Sequence, residues 1–190
     1  MNAPMTRTAA VMLAVSLSGC AARRGQQYHD KQMDFGSIST VAVLPFGNLT
    51  RDTLAAERVR DVFTTMMLST GAMYVVPQGE VARAISRGGV SSAVAPSVED
   101  VIKLGTVLKA EGIFTGVVKE YGEVRSGSAT GNVVSVSMQL FETTTGKVVW
   151  SATSTKGGVT FTDRLLGGGG TPLNDITEVA VDDLLEQLFK

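Results

Sequence analysis

The chain has 190 residues, 44% of them apolar, and 17 Lys and Arg stand against 18 Asp and Glu for a formal charge of −1. That length suits one domain, with or without a tail, and the balanced charge gives nucleic acid no electrostatic grip. A single Cys excludes an intrachain disulfide and a multi-Cys zinc site, and a single His excludes a two-His metal site.

Residues 1–19 read as a secretory signal peptide. Arg7 lies in a polar start, Ala9 to Leu17 is an apolar run broken only by Ser16, and the small residues Ser18 and Gly19 follow. The run is about half the ~20 residues that a membrane span requires. Leu17-Ser18-Gly19-Cys20 resembles the lipobox of bacterial lipoproteins. The resemblance implies cleavage before Cys20, a diacylglycerol on its sulfur and an acyl chain on the new amine. A thiolate is the best nucleophile available for such a transfer. Two or more chains, at ~0.8 kcal/mol per buried methylene, anchor stably where one does not. Ala21, rather than Asp, after Cys20 implies delivery to the outer membrane.

Residues 20–37 are polar and show no period, which predicts a lipidated tether with a contour limit of roughly 50 Å. His29 lies in this stretch and is expected to be solvated. Residues 38–190 form the expected periplasmic domain. Ile38 to Phe46 is rich in β-branched residues and reads as a buried strand. Asn48 reads as a loop residue that bonds nearby backbone. From Thr53 to Ser69, Ala55, Val59, Val62, Phe63, Met66 and Met67 fall at helical spacing, and Gly71 marks the stop. Met73 to Val76 is a second strand, with Pro77 suited to the first turn of a helix carrying Val81, Ala84 and Ile85. Ser97 is a natural N-cap for a helix continuing through Val101, Leu104 and Leu108, with Glu99 and Asp100 in its first turn.

Gly112 to Tyr121 reads as a third strand, and Ser126 to Gly131 as a turn. Val134, Val136, Met138 and Leu140 alternate with Ser135, Ser137 and Gln139, which marks a strand with one buried face. Lys147 to Thr155 is a fifth strand containing Trp150, a core anchor or an interface contact. Asn174 or Asp175 is expected to cap a last helix with Ile176, Ala180, Leu184 and Leu188 on its apolar side. The order β-α-β-α-α-β-β-β-α predicts an α/β (α+β) sandwich: one mixed sheet of about five strands with helices largely on one face.

The chemistry-bearing patterns are sparse. The run Gly167–Gly170 lacks the Lys and Ser or Thr of a phosphate loop. Glu120 and Glu123 are the nearest carboxylate pair off a helix, and nothing in the sequence frames them as a cleft. Arg58 and Arg60 alternate with acids and suggest a solvated helix face. The expectation is a protein that is not an enzyme, with no metal and no cofactor beyond the covalent diacylglycerol and acyl chain on Cys20.

Val41-Ala42-Val43-Leu44-Pro45-Phe46-Gly47-Asn48-Leu49-Thr50, then a helix, then Tyr74-Val75-Val76, resembles the start of a family of envelope lipoproteins. Its members include the curli secretion channel CsgG, the polysaccharide export protein PelC and the peptidoglycan-synthase activator LpoB. Gly112-Ile113-Phe114-Thr115-Gly116-Val117-Val118 and Thr145-Gly146-Lys147-Val148-Val149-Trp150-Ser151 are similar to the family's central strands. The resemblance implies a lipid-anchored periplasmic adaptor that binds envelope or export proteins and forms homo-oligomers, with no nucleic acid. A CsgG-type secretion pore is the alternative. It needs extra hairpins with strands of ~9–11 residues and an apolar lipid face, and Ser126–Val136 and Thr153–Thr162 are too polar or too small to supply them. Trp150 together with Arg164, Leu165 and Leu166, beside the glycine run, are the candidate interface residues.

Overall fold

A computed structural model describes residues 27–127, 129–159 and 170–190. Seven strands form one mixed sheet: β1 (Gln27–His29), β2 (Thr40–Val43), β3 (Gly47–Asn48), β4 (Tyr74–Val75), β5 (Gly112–Ser126), β6 (Ala129–Glu142) and β7 (Val148–Gly157). Their order is β1-β7-β6-β5-β2-β4, with β3 on β5. The helices are α1 (Ala55–Thr70), α2 (Gln78–Gly88), α3 (Val98–Leu108) and α4 (Leu173–Leu188). β2 runs parallel to β4 and β5, and β5, β6, β7 and β1 are successively antiparallel. The α/β sandwich expected from the sequence is the observed architecture, with two short strands, β1 and β3, added to it.

Side-chain alternation decides how each strand is covered. In β2 both parities are apolar, because Val41 and Val43 join the cluster beneath α1 and α4 while Ala42 and Leu44 join the cluster beneath α2 and α3. In β6, Val134, Val136, Met138 and Leu140 face the α1/α4 layer, and the residues between them, Ser135, Ser137 and Gln139, are polar. The helices therefore cover one sheet face and, on the other, only its β2 side.

Local signals behave as their chemistry requires. The Ser97 hydroxyl accepts from the Asp100 N–H at 3.1 Å and the Asp100 carboxylate accepts from the Ser97 N–H at 3.3 Å, a reciprocal cap. Gly71 ends α1 at φ 64°, a left-handed position that costs a glycine nothing. Asn48 accepts from the Thr50 N–H at 2.9 Å and donates to the Asp52 carbonyl at 2.7 Å. α4 departs from expectation: it follows Pro172 and has no side-chain cap from Asn174 or Asp175.

The N-terminal boundary also differs. Among the described residues regular structure is already present at Gln27, ahead of Ile38, because β1 pairs with β7 and Met33 and Phe35 pack against the core. The expected tether to residue 37 is shorter by that stretch. His29 is not solvated in a tail: its Nε2 lies 2.8 Å from the Gln187 carbonyl and its ring 5.4 Å from that of Phe35.

Candidate functional site

The sheet face that none of the described helices covers carries a polar strip in which Thr115 and Ser135 are buried. Cross-strand neighbours point the same way, so the register sets three rows: Thr115–Gln139–Ser151, Val117–Ser137–Thr153 and Glu120–Ser135–Thr155. The Ser137 and Thr153 hydroxyls are 2.7 Å apart, and those of Ser135 and Thr155 are 2.8 Å apart. Each pair shares one proton between its oxygens and keeps a second O–H for an outside acceptor. Val94, Ala95 and Pro96 wall a depression of about 530 Å³ over the lower rows, and Lys119 and Phe141 complete its lining. The floor mixes the Thr115, Ser137 and Ser151 hydroxyls and the Gln139 amide with Gly116 and Val117, and Lys119 brings a charge to the lining. Such a surface forms hydrogen bonds with a polar partner.

A second depression of about 490 Å³ lies at the C-terminal end of α4, between His29, Phe35, Ile38, Met73, Leu188 and Phe189. It is apolar, and Phe189 is half exposed beside it. The β1 contact through His29 forms one of its walls.

The carboxylates do not form a pair. Glu120 lies on the polar face beside Ser135, whereas Glu123, three residues on and opposite Asn132, points to the other face. Glu123 instead accepts from Arg125 at 3.5 Å.

Leu17, Ser18, Gly19 and Cys20, and Arg164, Leu165 and Leu166, lie outside the described residues. Trp150 is fully buried, edge-on to Phe114 at 6.2 Å between ring centres. Its position in β7 turns it toward the α1/α4 layer, so its ring is a core anchor and presents nothing to a partner. Arg60 is also not on a solvated face. It reaches back from α1 and donates to the Val43 carbonyl at 2.6 Å, at the end of β2. Burial lowers the pKa of its guanidinium, against the opposing charges of Glu57 and Asp61. The polar face itself had a sequence signal in the Ser135, Ser137 and Gln139 alternation. The matching hydroxyls of β7 become part of it only through the register.

The family model described as the peptidoglycan-synthase activator LpoB matches residues 17–155. The chain belongs to this family. Solved structures share the LpoB-family fold at low identity. The PelC dodecamer from Paraburkholderia phytofirmans is 18% identical at a TM-score of 0.56, over 86% of this chain and 95% of that one. Lipoprotein GNA1162 from Neisseria meningitidis is 19% identical at 0.56, over 80% and 98%. The LpoB C-terminal domain from Salmonella enterica is 16% identical at 0.50, over 67% and 87%. No curated protein matches the chain.

Proposed function

We propose that this protein is an outer-membrane lipoprotein, anchored through Cys20, whose periplasmic domain acts by binding and stimulates a peptidoglycan synthase. The observation that carries the reading is the LpoB family match, which begins at the lipobox-like segment and runs into β7, to residue 155. The polar strip of β5, β6 and β7 supports it as the docking surface, since the paired hydroxyls of Ser137 and Thr153 are held in place by the strand register. The protein needs no catalytic group of its own in this role.

The test is the rate at which the peptidoglycan synthase of the same organism polymerises its lipid-linked substrate, with and without the purified domain. Stimulation of several-fold is expected, and Ser137→Arg, which places a charged side chain on the polar face, abolishes it while leaving thermal unfolding unchanged. No stimulation and no complex would overturn the reading.

A second reading, an oligomeric component of an export apparatus, is favoured by the breadth of the match to the PelC dodecamer. Sedimentation of the lipidated protein as a large closed ring supports it, and conductance in planar bilayers tests the CsgG-type channel form.

A further inference from the structure

We propose that the free end of the β5–β6 hairpin rests on the headgroups of the membrane leaflet that holds the lipid anchor. The inference depends on the lipidation of Cys20 proposed above. It follows from strand direction and from the length of chain between that Cys and the sheet.

Gly116, Met138, Ala152 and Gln27 form one continuous row across β5, β6, β7 and β1. Because β1 is antiparallel to β7, the chain upstream of Gln27 leaves the sheet toward Gly157 and the hairpin turn. Seven Cα steps separate Cys20 from Gln27. At about 3.3–3.6 Å per residue they span no more than ~25 Å, and an unconstrained linker of that length averages ~15 Å. From the same row, β6 runs from Met138 back to Ala129 beside the turn, nine residues. At about 3.3 Å per residue that is ~30 Å. The hairpin therefore reaches past the farthest point available to the anchor. The bilayer cannot sit clear of it along the strand direction, and the sheet tilts until the tip lies against the leaflet.

The tip suits a headgroup layer and not the hydrocarbon core. Val124 is partly exposed between Glu123 and Arg125, and these two charges pair with each other. Such a surface has little lipid affinity of its own, so contact is imposed by the short anchor. The same geometry turns the apolar depression at the α4 C-terminus away from the membrane. Ile176, at the start of α4, lies beside Gly157 at the hairpin end, while Leu188, twelve residues further along the chain, and Phe189 lie at the other end of the helix.

The test uses full-length lipidated protein in vesicles containing headgroup-level spin-labelled lipid. Lipidation consumes the one native thiol, so Arg125→Cys accepts a fluorophore selectively, and Tyr74→Cys on the exposed β4 edge is the reference. At least twofold stronger quenching at position 125 than at 74 is expected. Inserting twelve Gly and Ser residues between Gly25 and Gln26 removes the difference while the protein still floats with the vesicles. Equal quenching at the two positions in floating protein would overturn the proposal, and so would quenching that survives the insertion. Protein that does not float would remove the anchor itself, and the proposal with it, a result separable by flotation alone.

Discussion

Trp150 shows how one side chain changes meaning with its surroundings. Phe46, Phe63, Phe114 and Trp150 form a continuous aromatic chain through the α1/α4 core, with ring centres 5.1–6.2 Å apart. Edge-to-face contacts of this kind add to the burial of the rings themselves. The indole Nε1 has no hydrogen-bond partner among the described residues, so packing holds this side chain in place. As the chain has one Trp, its fluorescence reports on this core alone. Native protein is expected to emit at short wavelength and resist acrylamide quenching, with a red shift on unfolding. Truncating a buried aromatic costs about 3–5 kcal/mol, and Trp150→Ala is expected to lower the urea midpoint accordingly. The sequence marked Trp150 as important without separating core from interface, since a lone Trp in an apolar strand satisfies both patterns. Arg60 was equally ambiguous: its neighbours Glu57 and Asp61 write a solvated pattern, and only the nearness of α1 to the end of β2 provides the Val43 carbonyl.

Two contacts between elements govern how the layers seat. Gly105 lies on the buried side of α3, where the Thr143 side chain from the β6–β7 turn occupies the place of a Cβ. Thr143 in turn donates to the Ala110 carbonyl at 2.7 Å, tying that turn to the chain just after α3. Gly105→Ala forces the turn off the helix, and overpacking of this kind costs about 1–3 kcal/mol, measurable as a lower urea midpoint. Between α4 and β7, Asp183 accepts from Lys156 at 2.9 Å and from the Gln187 amide at 3.1 Å. Burial raises its pKa, but the Ser154 hydroxyl, Lys156 and Gln187 outweigh burial and hold the carboxyl below its usual value. A depressed folded pKa contributes stability that is fully present above the unfolded value of ~3.9 and is lost as pH falls through the folded one. Asp183→Asn is expected to flatten that acid-side slope in urea titrations at successive pH values. Element types were readable where the signal is local. The Ser97 cap, the α1 face and the β6 alternation depend on neighbours within a few residues. Gly105 carried no such signal, because the atom that excludes a Cβ belongs to a turn 38 residues later in the chain.

The molecule as a whole is asymmetric. Among the described residues, α1 and α4 seal one sheet face, α2 and α3 cover the β2 side of the other, and the two depressions lie on different parts of the surface. A polar strip lies on one sheet face and an apolar depression at one end, and the strand at Gln27–His29 is clipped to the sheet edge. If Cys20 carries the anchor, Cys20→Ala stays uncleaved or leaves the outer-membrane fraction, as read by fractionation and by the mass of the N-terminal peptide. Wild-type behaviour of that variant would refute lipid attachment at this position.

The sequence by itself determined the α/β class, the helices and the Ser97 cap, which strand is covered on both sides and which on one, and the lipobox-like position of Cys20. Each is written in short-range spacing, and short-range geometry is fixed by covalent structure and side-chain period. The tertiary structure alone decided that residues 27–29 join the sheet edge, that Trp150 and Arg60 turn inward, and that the hydroxyls of β6 and β7 form one surface. Those outcomes depend on partners that the chain brings together from far apart, and no local pattern specifies which distant neighbour arrives.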